Sequence, residues 1–300
     1  GLYFLGVSLR SCDVIIVNFN AGDFLRDDVG SALRSPTIKH VVVVDNASTD
    51  ASLESLHIKP DERVTVIRNA ANLGFAAGCN IGIARSDTQY ALLLNPDCRI
   101  EEGAVERMSD VLTAGENIGM CGPLLLNPDG SEQAGGRRVV PTPWRALVRI
   151  LGLWRLRWLS PKTFSDFALH REPLPDRPID VDAISGACMM VRRDAAAAVG
   201  PMDEEYFLHC EDLDWCVRFR QQGWRILFVP DAKATHQKGV STAGKPLTTE
   251  WYKHRGMIRF YLKFFRRTYP ATLFNLAVIG IWIRFAVVAI GITLFERRRD

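Results

Sequence analysis

The sequence predicts an α/β fold built on a mostly parallel sheet that helices cover on both faces. Over residues 13–97, short aliphatic runs alternate with amphipathic stretches, a pattern typical of strand–helix–strand units. The aliphatic runs are continuous and do not alternate with polar residues, as expected of strands buried on both faces. Polar residues follow most of these runs, and ligands of such sheets bind beyond the carboxyl ends of the strands. The functional edge of the sheet is therefore expected there.

Four strands and three helices account for the first hundred residues. The spacing of Leu25, Val29 and Leu33 predicts the first helix, and the polar cluster at residues 48–50 offers N-cap residues for the second. The predicted strands cover residues 14–17, 41–44, 64–67 and 91–94. The predicted helices cover residues 24–33, the stretch that ends at Leu56, and residues 76–84.

The second half of the chain is less regular. The expected elements are an interrupted strand, a helix, and a second strand followed by a polar loop, over residues 181–191, 211–222, 225–229 and 230–245. The interruption lies at Ser185 and Gly186. Residues 137–159 are rich in Arg, Trp and Leu, which indicates an exposed amphipathic or interfacial segment.

The C-terminal segment differs in kind from the rest. Residues 271–295 are almost wholly apolar and long enough to span a bilayer, but Arg284 lies at their centre. A central Arg costs about 2.5–3.5 kcal/mol on insertion scales, and the apolar run on either side is eight residues long, too short to span alone. Basic clusters flank both ends, so the positive-inside rule gives no orientation. An interfacial or re-entrant helix is favoured over a membrane span, and a buried soluble helix is the third alternative.

Composition and charge exclude several classes of protein. With 47% hydrophobic residues, 24% charged residues and a mean hydropathy of zero, the chain is neither disordered nor a polytopic membrane protein. The net charge of +3 conceals two opposite parts: residues 251–300 hold ten basic and two acidic residues, and residues 1–250 hold 27 and 32. The near-neutral total argues against nucleic acid as a partner, and its division into an acidic body and a basic, apolar C-terminal segment indicates an anionic membrane surface.

The cysteines and the N-terminus indicate a cytoplasmic protein. Seven cysteines without a paired spacing are expected to be reduced thiols. Residues 1–9 are apolar, but they are too short for a signal peptide and follow no basic residue.

Three acidic residues and one histidine carry the candidate chemistry. Asp45 closes a strand too early to cap the next helix, so its carboxylate is expected to accept from a base or a ribose. Asp97 suits either an ordinary turn or a divalent cation whose other ligands are diphosphate oxygens and water. Asp212 opens a helix whose field is expected to keep it ionised, so it either caps the helix or serves as a general base. His236, in the polar loop, becomes a metal ligand only if it pairs with Asp97.

The turn at residues 72–78 contains the small residues that let a backbone approach a phosphate at a helix start. It is not a GxGxxG fingerprint, and the sequence contains no GxxxxGKS or GxxxxGKT run. Dehydrogenase and P-loop NTPase functions therefore lose their main support.

Six motifs and one histidine occur in a fixed order along the chain. They are Val-Asn-Phe-Asn at residues 17–20, Val-Val-Asp-Asn-Ala-Ser-Thr-Asp at 43–50, Asn-Leu-Gly-Phe-Ala-Ala-Gly-Cys-Asn at 72–80, Leu-Asn-Pro-Asp at 94–97, Gly-Pro-Met-Asp-Glu-Glu-Tyr-Phe at 200–207, Glu-Asp-Leu-Asp at 211–214, and His236. In this order and at these spacings they closely resemble glycosyltransferase family 2, the inverting enzymes of GT-A fold, and in particular its bacterial rhamnosyltransferase-like branch. The resemblance covers residues 13–241.

This resemblance implies the domain organisation. It implies a GT-A catalytic domain at residues 13–245, in which residues 13–100 bind the nucleotide sugar and residues 101–245 bind the acceptor. Residues 246–300 then form a basic, apolar segment that associates with a membrane.

The resemblance also implies the roles of the site residues. Asp212 matches the catalytic base of the family, and Asp97 and His236 match ligands of Mg²⁺ or Mn²⁺. The first position of the family's Asp-x-Asp metal motif is Asn95 here. The substrate-binding residues that the resemblance implies are Asn18, Asp45, Asn72, Asn80, Asn95 and Glu211.

The implied reaction is a metal-dependent, single in-line displacement that moves a sugar from a nucleoside diphosphate to a lipid-linked saccharide. We expect rhamnose from dTDP-rhamnose, used for a bacterial cell-surface polysaccharide by a peripheral or monotopic protein at the cytoplasmic face of the inner membrane. A UDP-hexose or galactofuranose donor fits every motif equally. An inactive nucleotide-sugar-binding scaffold is a further alternative, against which the presence of Asp97, Asp212 and His236 argues. A homo-oligomer is left open.

Overall fold

A computed structural model of the protein describes residues 11–56, 61–156, 158–160, 169–237, 239 and 246–296. The apolar residues 1–9, the end of the predicted polar loop at residue 245 and the basic residues 297–299 lie outside the described residues. Within the described part, strands and helices alternate through the first hundred residues as the sequence predicts.

One mixed sheet of nine strands organises the molecule. The strands in chain order are β1 (Cys12–Asn18), β2 (Ile38–Asp45), β3 (Val64–Arg68), β4 (Tyr90–Leu94), β5 (Cys98–Ile100), β6 (Ile118–Leu126), β7 (Arg137–Arg138), β8 (Ile179–Asp180), β9 (Ala183–Ile184), β10 (Cys188–Arg192) and β11 (Arg225–His236). Their spatial order is β3-β2-β1-β4-β10-β6-β11-β5, and β8 pairs with β11. The short strands β7 and β9 pair separately.

The helices connect the strands and then extend the chain beyond the sheet. In chain order they are α1 (Phe24–Ala32), α2 (Ser52–Leu56), α3 (Phe75–Arg85), α4 (Ala104–Thr113), α5 (Pro143–Ile150), α6 (Arg193–Val199), α7 (Glu211–Gln221), α8 (Pro246–Phe264) and α9 (Ala271–Glu296). Short 3₁₀ helices lie at Leu153–Leu156 and Leu169–Arg171.

Parallel pairing brings the polar ends of β1 to β4 to one edge of the sheet, which we call the carboxyl edge. The register pairs Asn18 with Asp45 and Asp45 with Arg68. β10 is antiparallel to β4, so the chain enters it from this edge through residues 185–187. β11 runs parallel to β6 and ends at the same edge with His236. Residues that are distant in sequence therefore meet there.

Two apolar clusters cover the two faces of the sheet. Ile15 and Val17 belong to one cluster, and Val14 and Ile16 belong to the other, because successive side chains of a strand point to opposite faces. Burial on both faces explains why β1 and β4 are so strongly aliphatic, whereas the edge strand β3 is half-buried or exposed along its length. Helix α3 packs closely on β1, since a Cβ atom at Gly78 would lie 2.6 Å from Val17.

The structure corrects the prediction for His236. The sequence placed this residue in a polar loop after residue 229, but β11 continues to His236. The prediction was wrong because Pro230 and Asp231 have the composition of a strand end. In the structure they form an irregularity between Val229 and Lys233, after which the ladder with β6 resumes and β5 pairs on the other side.

The sequence predicted that residues 137–159 form an exposed segment, but the structure shows that only part of this segment is exposed. It begins with Arg137, which is 2% exposed, and continues through β7 into α5. Its C-terminal part does expose apolar side chains, among them Trp158 and Leu159. All seven cysteines are free and buried.

Among the described helices, α9 is the one that is long and apolar enough to cross a membrane by length and composition, over Ala271–Phe295. Its buried residues are Phe274, Ala277 and Ile281. It packs against α8 and α5.

Candidate active site

A buried polar pair lies where β1 and β2 end. Asn18 Nδ2 donates to Asp45 Oδ1 at 2.8 Å and to the hydroxyls of Ser48 and Ser52 at 3.0 and 2.9 Å. Asp45 Oδ2 accepts from the backbone N–H of Ser48 at 3.2 Å. Asn18 Oδ1 is buried and has no hydrogen-bond partner among the described residues. The cluster therefore fixes the Asp45 carboxylate and leaves one amide oxygen available to a donor group of a ligand.

A glycine turn at the start of α3 contacts the second half of the chain. Asn72 Oδ1 accepts from the Gly74 N–H at 2.9 Å, and Asn46 Nδ2 donates to the Gly74 carbonyl at 3.0 Å. Gly74 has a φ of +87°, and a Cβ atom there would lie 2.6 Å from the Phe207 carbonyl oxygen. The N–H of Phe75 donates to that same oxygen at 3.0 Å. Glycine is thus required at this position, and the Asn72 side chain shapes the turn.

Asn80 is engaged with the second half of the chain as well. Its Nδ2 donates to the Met202 carbonyl at 3.0 Å and to Glu204 Oε1 at 2.8 Å, and its Oδ1 accepts from the Met202 N–H at 2.9 Å. These bonds tie α3 to residues 202–204. None of them joins Asn80 to the polar pair at the ends of β1 and β2, so its predicted contact with substrate stays a prediction.

A carboxylate and an imidazole meet where β5 and β11 pair. The register sets His236 opposite Cys98, and the Gln237 N–H donates to the Asp97 carbonyl at 2.8 Å. His236 Nε2 lies 3.1 Å from Asp97 Oδ1 and 3.3 Å from Asn95 Nδ2. Both Asp97 and His236 are buried. No hydrogen-bond donor among the described residues serves Asp97 Oδ1.

A chain of side-chain hydrogen bonds decides which nitrogen of His236 carries the proton. It begins at the Asp129 carboxylate, which can only accept, and does so from Ser131 Oγ at 2.5 Å. Ser131 Oγ then accepts from Asn127 Nδ2 at 2.9 Å, which leaves Asn127 Oδ1 to accept from Gln133 Nε2 at 3.1 Å. Gln133 Nε2 also donates to the His236 carbonyl at 3.1 Å, so Gln133 Oε1 accepts from His236 Nδ1 at 2.7 Å. The proton lies on Nδ1, so Nε2 carries the lone pair, which accepts from Asn95 Nδ2 at 3.3 Å and lies 3.1 Å from Asp97 Oδ1.

Two lone-pair donors that face each other at 3.1 Å fit a divalent cation. Imidazole nitrogen and carboxylate oxygen both serve as ligands of divalent metals. A ligating histidine almost always donates its other N–H to an oxygen atom, as His236 does to Gln133. The buried Asp97 oxygen without a hydrogen-bond donor is the observation that supports the fit.

A second group of metal-ligating side chains lies at the opposite edge of the sheet. Asp13, His40 and Asp87 gather at the amino end of β1. Asp13 Oδ2 already accepts from Ser86 Oγ at 2.8 Å, and its Oδ1 lies 3.1 Å from His40 Nδ1. This group is therefore separate from the carboxyl edge and from the residues that the sequence predicts to hold the donor.

Asp212 is held by an arginine. Its Oδ2 accepts from Arg138 Nη2 at 2.5 Å and from the Gly186 N–H at 3.0 Å, and its Oδ1 accepts from the Leu213 N–H at 2.7 Å. Arg138 also donates to the Ile184 carbonyl at 2.7 Å. Burial acts to raise the pKa of Asp212, but the Arg138 charge and these hydrogen bonds outweigh it and lower the pKa. The carboxylate is therefore ionised near neutral pH, as a general base must be.

The neighbouring carboxylate behaves in the opposite way. Burial, and then the charge of Asp212, raises the pKa of Glu211 to about 8. Glu211 Oε2 has no hydrogen-bond partner among the described residues. The helix field that is expected to keep Asp212 ionised does not have this effect on Glu211, because burial outweighs the helix dipole there.

The loop before α7 is strained and held in place by α8. His209 and Cys210 both adopt left-handed backbone conformations, with φ of +70° and +74°, which cost on the order of 1 kcal/mol each for residues other than glycine. Gly256 of α8 packs against this loop, since a Cβ atom there would lie 2.7 Å from the His209 carbonyl oxygen. Lys263 Nζ lies 2.6 Å from the fully buried Asp214. Helix α8 thus supports the loop that leads to the candidate base.

The sequence reasoning missed two side chains of this site, Arg138 and Gln133. Arg138 lies in the stretch that was interpreted as exposed, and Gln133 belongs to no motif. Their partners Asp212 and His236 are 74 and 103 residues further along the chain. No local pattern could mark them, because tertiary contacts alone define their roles.

The fold is that of a glycosyltransferase with the GT-A architecture. The model of the family described as "Glycosyl transferase family 2" matches residues 13–200. The chain belongs to this family, as an inverting glycosyltransferase of its rhamnosyltransferase-like branch. The predictions of fold class, family and enzyme class are confirmed.

Two relatives represent that branch. The chain is 28% identical over 247 residues to the N-acetylglucosaminyl-diphospho-decaprenol L-rhamnosyltransferase of Mycobacterium tuberculosis, with 78% of each chain covered. It is 24% identical over 203 residues to the dTDP-rhamnosyl transferase RfbF of Shigella flexneri, with 67% of this chain and 60% of the relative covered.

A solved structure shares the fold. GalNAc-T7, crystallised with UDP, GalNAc and Mn²⁺, matches with a TM-score of 0.62 at 18% identity, over 85% of this chain and 48% of that one. The protein thus spans about half the length of this neighbour. In that neighbour a Mn²⁺ ion accompanies the nucleotide.

Proposed function

We propose that the protein transfers rhamnose from dTDP-rhamnose to a saccharide linked through a diphosphate to a membrane lipid, for a bacterial cell-surface polysaccharide. The activities for which the two relatives are named support this donor and this kind of acceptor. The structural observation that carries the proposal is the facing pair of Asp97 and His236. This pair lies at the edge of the sheet where α/β proteins bind nucleotides.

In this proposal the donor nucleotide binds at the ends of β1 and β2. Asp45, held by Asn18 and by the Ser48 N–H, accepts from an imino group of the base or a ribose hydroxyl. The buried Asn18 Oδ1 is a second acceptor for the same ligand. Asp97 and His236 would hold Mg²⁺ or Mn²⁺, and such an ion supplies positive charge that stabilises the departing nucleoside diphosphate.

Asp212 acts as the general base in this proposal. Its carboxylate takes the proton of an acceptor hydroxyl while that oxygen forms a bond to the anomeric carbon of the donor. The bond from the anomeric carbon to the diphosphate breaks in the same step, so the configuration inverts and the nucleoside diphosphate leaves with the electron pair. Arg138 keeps the Asp212 carboxylate ionised before the transfer, and the Gly186 N–H orients it.

We place the protein at the cytoplasmic face of the inner membrane, as a peripheral or monotopic enzyme. The apolar helix α9 and the basic charge of residues 251–300 support contact with anionic lipids. The proposed lipid-linked acceptor would be reached at the same surface.

A donor screen tests the proposal. The purified protein is incubated with Mn²⁺, polyprenyl-diphosphate-linked N-acetylglucosamine, and in turn dTDP-rhamnose, UDP-hexoses and UDP-galactofuranose, and the lipid product is measured by mass spectrometry. We expect transfer from dTDP-rhamnose, and no transfer when the acceptor is a free saccharide. Transfer from a UDP-sugar alone, or equal use of a lipid-free acceptor, would contradict the proposal.

A further inference from the structure

We infer that α9 lies in the plane of the membrane surface, docked along α8, and does not cross the bilayer. The side of α9 that enters the lipid, which we call the lipid face, consists of Leu276, Ile279, Ile283, Val287, Ile290 and Leu294. The inference deepens the proposed function and rests on it, because the lipid-linked acceptor of that function is the reason for the protein to bind a membrane.

The lipid face is one continuous apolar stripe. Its six side chains are 53–64% exposed, and they are spaced by three or four residues, so they share one side of the helix. None of the six carries a hydrogen-bonding group. The buried residues Phe274, Ala277 and Ile281 pack against the main apolar cluster of the protein. One side of helix α9 therefore packs against the protein, and the opposite side, the lipid face, is exposed.

Helix α8 runs beside α9 and prevents the pair from entering a bilayer core. Trp251 contacts Trp282 with ring centroids 5.5 Å apart, and His254 contacts Phe285 at 5.4 Å. At about 1.5 Å per residue, the 19 residues of α8 extend for about 28 Å. The charged residues along it are Glu250, Lys253, Arg255, Arg259 and Lys263. A membrane span by α9 would therefore require its separation from α8, because each of these charges is costly in hydrocarbon.

The central charge of α9 is bound from the protein side. Arg284 Nη1 lies 2.8 Å from His254 Nε2 and 3.8 Å from Glu250 Oε2. His254 Nδ1 donates to the Glu250 carbonyl at 2.7 Å, so His254 Nε2 is the acceptor for Arg284. The residue that opposes a span thus holds α9 against α8, while the lipid face points elsewhere.

The charges around α9 favour a bilayer with anionic headgroups over a second copy of the chain. Arg266 and Arg267 are exposed just before α9, and the sequence continues after it with residues 297–299, all arginine. Two lipid faces packed together would bring these like charges together, whereas anionic lipids attract them. The nearby helix α5 also packs on α9, and it leads to Trp158, which is 74% exposed.

Site-specific labelling decides between an in-plane helix and a span. All seven native cysteines are buried, so a membrane-impermeant maleimide reports on one engineered thiol in the full-length protein. We expect Asp300→Cys to react in inverted inner-membrane vesicles and to be protected in right-side-out vesicles, as for the control Glu62→Cys on the exposed catalytic body. If Asp300→Cys reacted in right-side-out vesicles and not in inverted ones, the inference would be overturned.

Vesicle binding tests the lipid face itself. Burial of one isoleucine side chain corresponds to at least about a tenfold change in partitioning, so Ile283→Asp is expected to bind phosphatidylglycerol-containing liposomes at least about tenfold more weakly. Val66→Asp, at an exposed position of the edge strand β3, is the matched control and should bind as wild type does. Unchanged binding by Ile283→Asp, or a wild-type dimer that ignores liposomes, would overturn the inference. If the donor screen identified a different donor while labelling and liposome binding gave the expected results, only the proposed function would be contradicted.

Discussion

Replacing Gln133 by methionine tests the hydrogen-bond chain that orients His236. Methionine is similar in length but has no amide, so the variant loses the 2.7 Å acceptor of the Nδ1 proton and the 3.1 Å bond to the His236 carbonyl. The proton is then free to move to Nε2 and block the ligand nitrogen. Partners of this kind are worth about 10–100-fold in metal affinity. We expect the Kd for Mn²⁺ to rise by that factor, or by about 1.4–2.7 kcal/mol.

The assay is a titration of the protein with Mn²⁺ in the presence of dTDP, with free Mn²⁺ measured by electron paramagnetic resonance. Gln133→Glu is the matched control, because a carboxylate still accepts from Nδ1 but can no longer donate to the His236 carbonyl. We expect both variants to lose similar thermal stability and only the methionine variant to lose Mn²⁺ affinity. Equal Mn²⁺ affinity in folded wild-type protein and Gln133→Met would refute the reasoning.

The two carboxylates of α7 and their arginine allow three further tests. Asp212→Asn removes the proton acceptor at constant size, so kcat should fall by about 10²–10⁴-fold with dTDP binding intact; a residual rate above about a tenth contradicts the assignment. Arg138→Gln removes the charge that lowers the pKa of Asp212, so the acid limb of the pH–rate profile should move to higher pH rather than stay in place. The pKa of Glu211 rises on folding from its ordinary value of 4.5 to about 8. The free energy of unfolding of the wild type therefore falls as the pH increases between these two pKa values. Glu211→Gln should therefore gain in Tm relative to wild type between pH 5 and pH 8, by about 2 °C or more, and parallel Tm curves would contradict this.

Strands β1, β2 and β4 could be predicted because they are largely buried, which leaves a continuous aliphatic signal. The edge strand β3 has a similar run, although its residues are half-buried or exposed. The polar residues after them could also be placed, since parallel strands end at a common edge. Asn18 and Asp45 become neighbours through the strand register alone. Asp97 and His236 were predicted as a pair by resemblance, and the pairing of β5 with β11 brings them together.

The rest of the site depends on contacts that no local pattern records. Glu211 and Asp212 are adjacent in the sequence and both open α7, yet the pKa of one rises and that of the other falls. The difference lies in Arg138, which reaches Asp212 from β7. The end of β11 was predicted at residue 229 for a related reason. The strand continues to His236 because β6 and β5 pair with it beyond the irregularity at Pro230 and Asp231, and its own residues do not signal this pairing.

The position of α8 also has a consequence for the acceptors that the proposed enzyme would reach. His254 contacts Arg284 of α9, and Gly256, on the opposite side of α8, touches the His209 carbonyl in the loop that leads to the base. A helix is about 10 Å across, so with α9 in the membrane surface, as inferred above, the loop that leads to the base would stand about one helix diameter from α9. A hydroxyl on the sugar next to the lipid diphosphate lies within that height. A long glycan whose terminal sugar stands far from the membrane would extend past the base. If the proposed function and the in-plane position of α9 hold, we therefore expect short acceptors close to the lipid to be used and long ones to be used poorly.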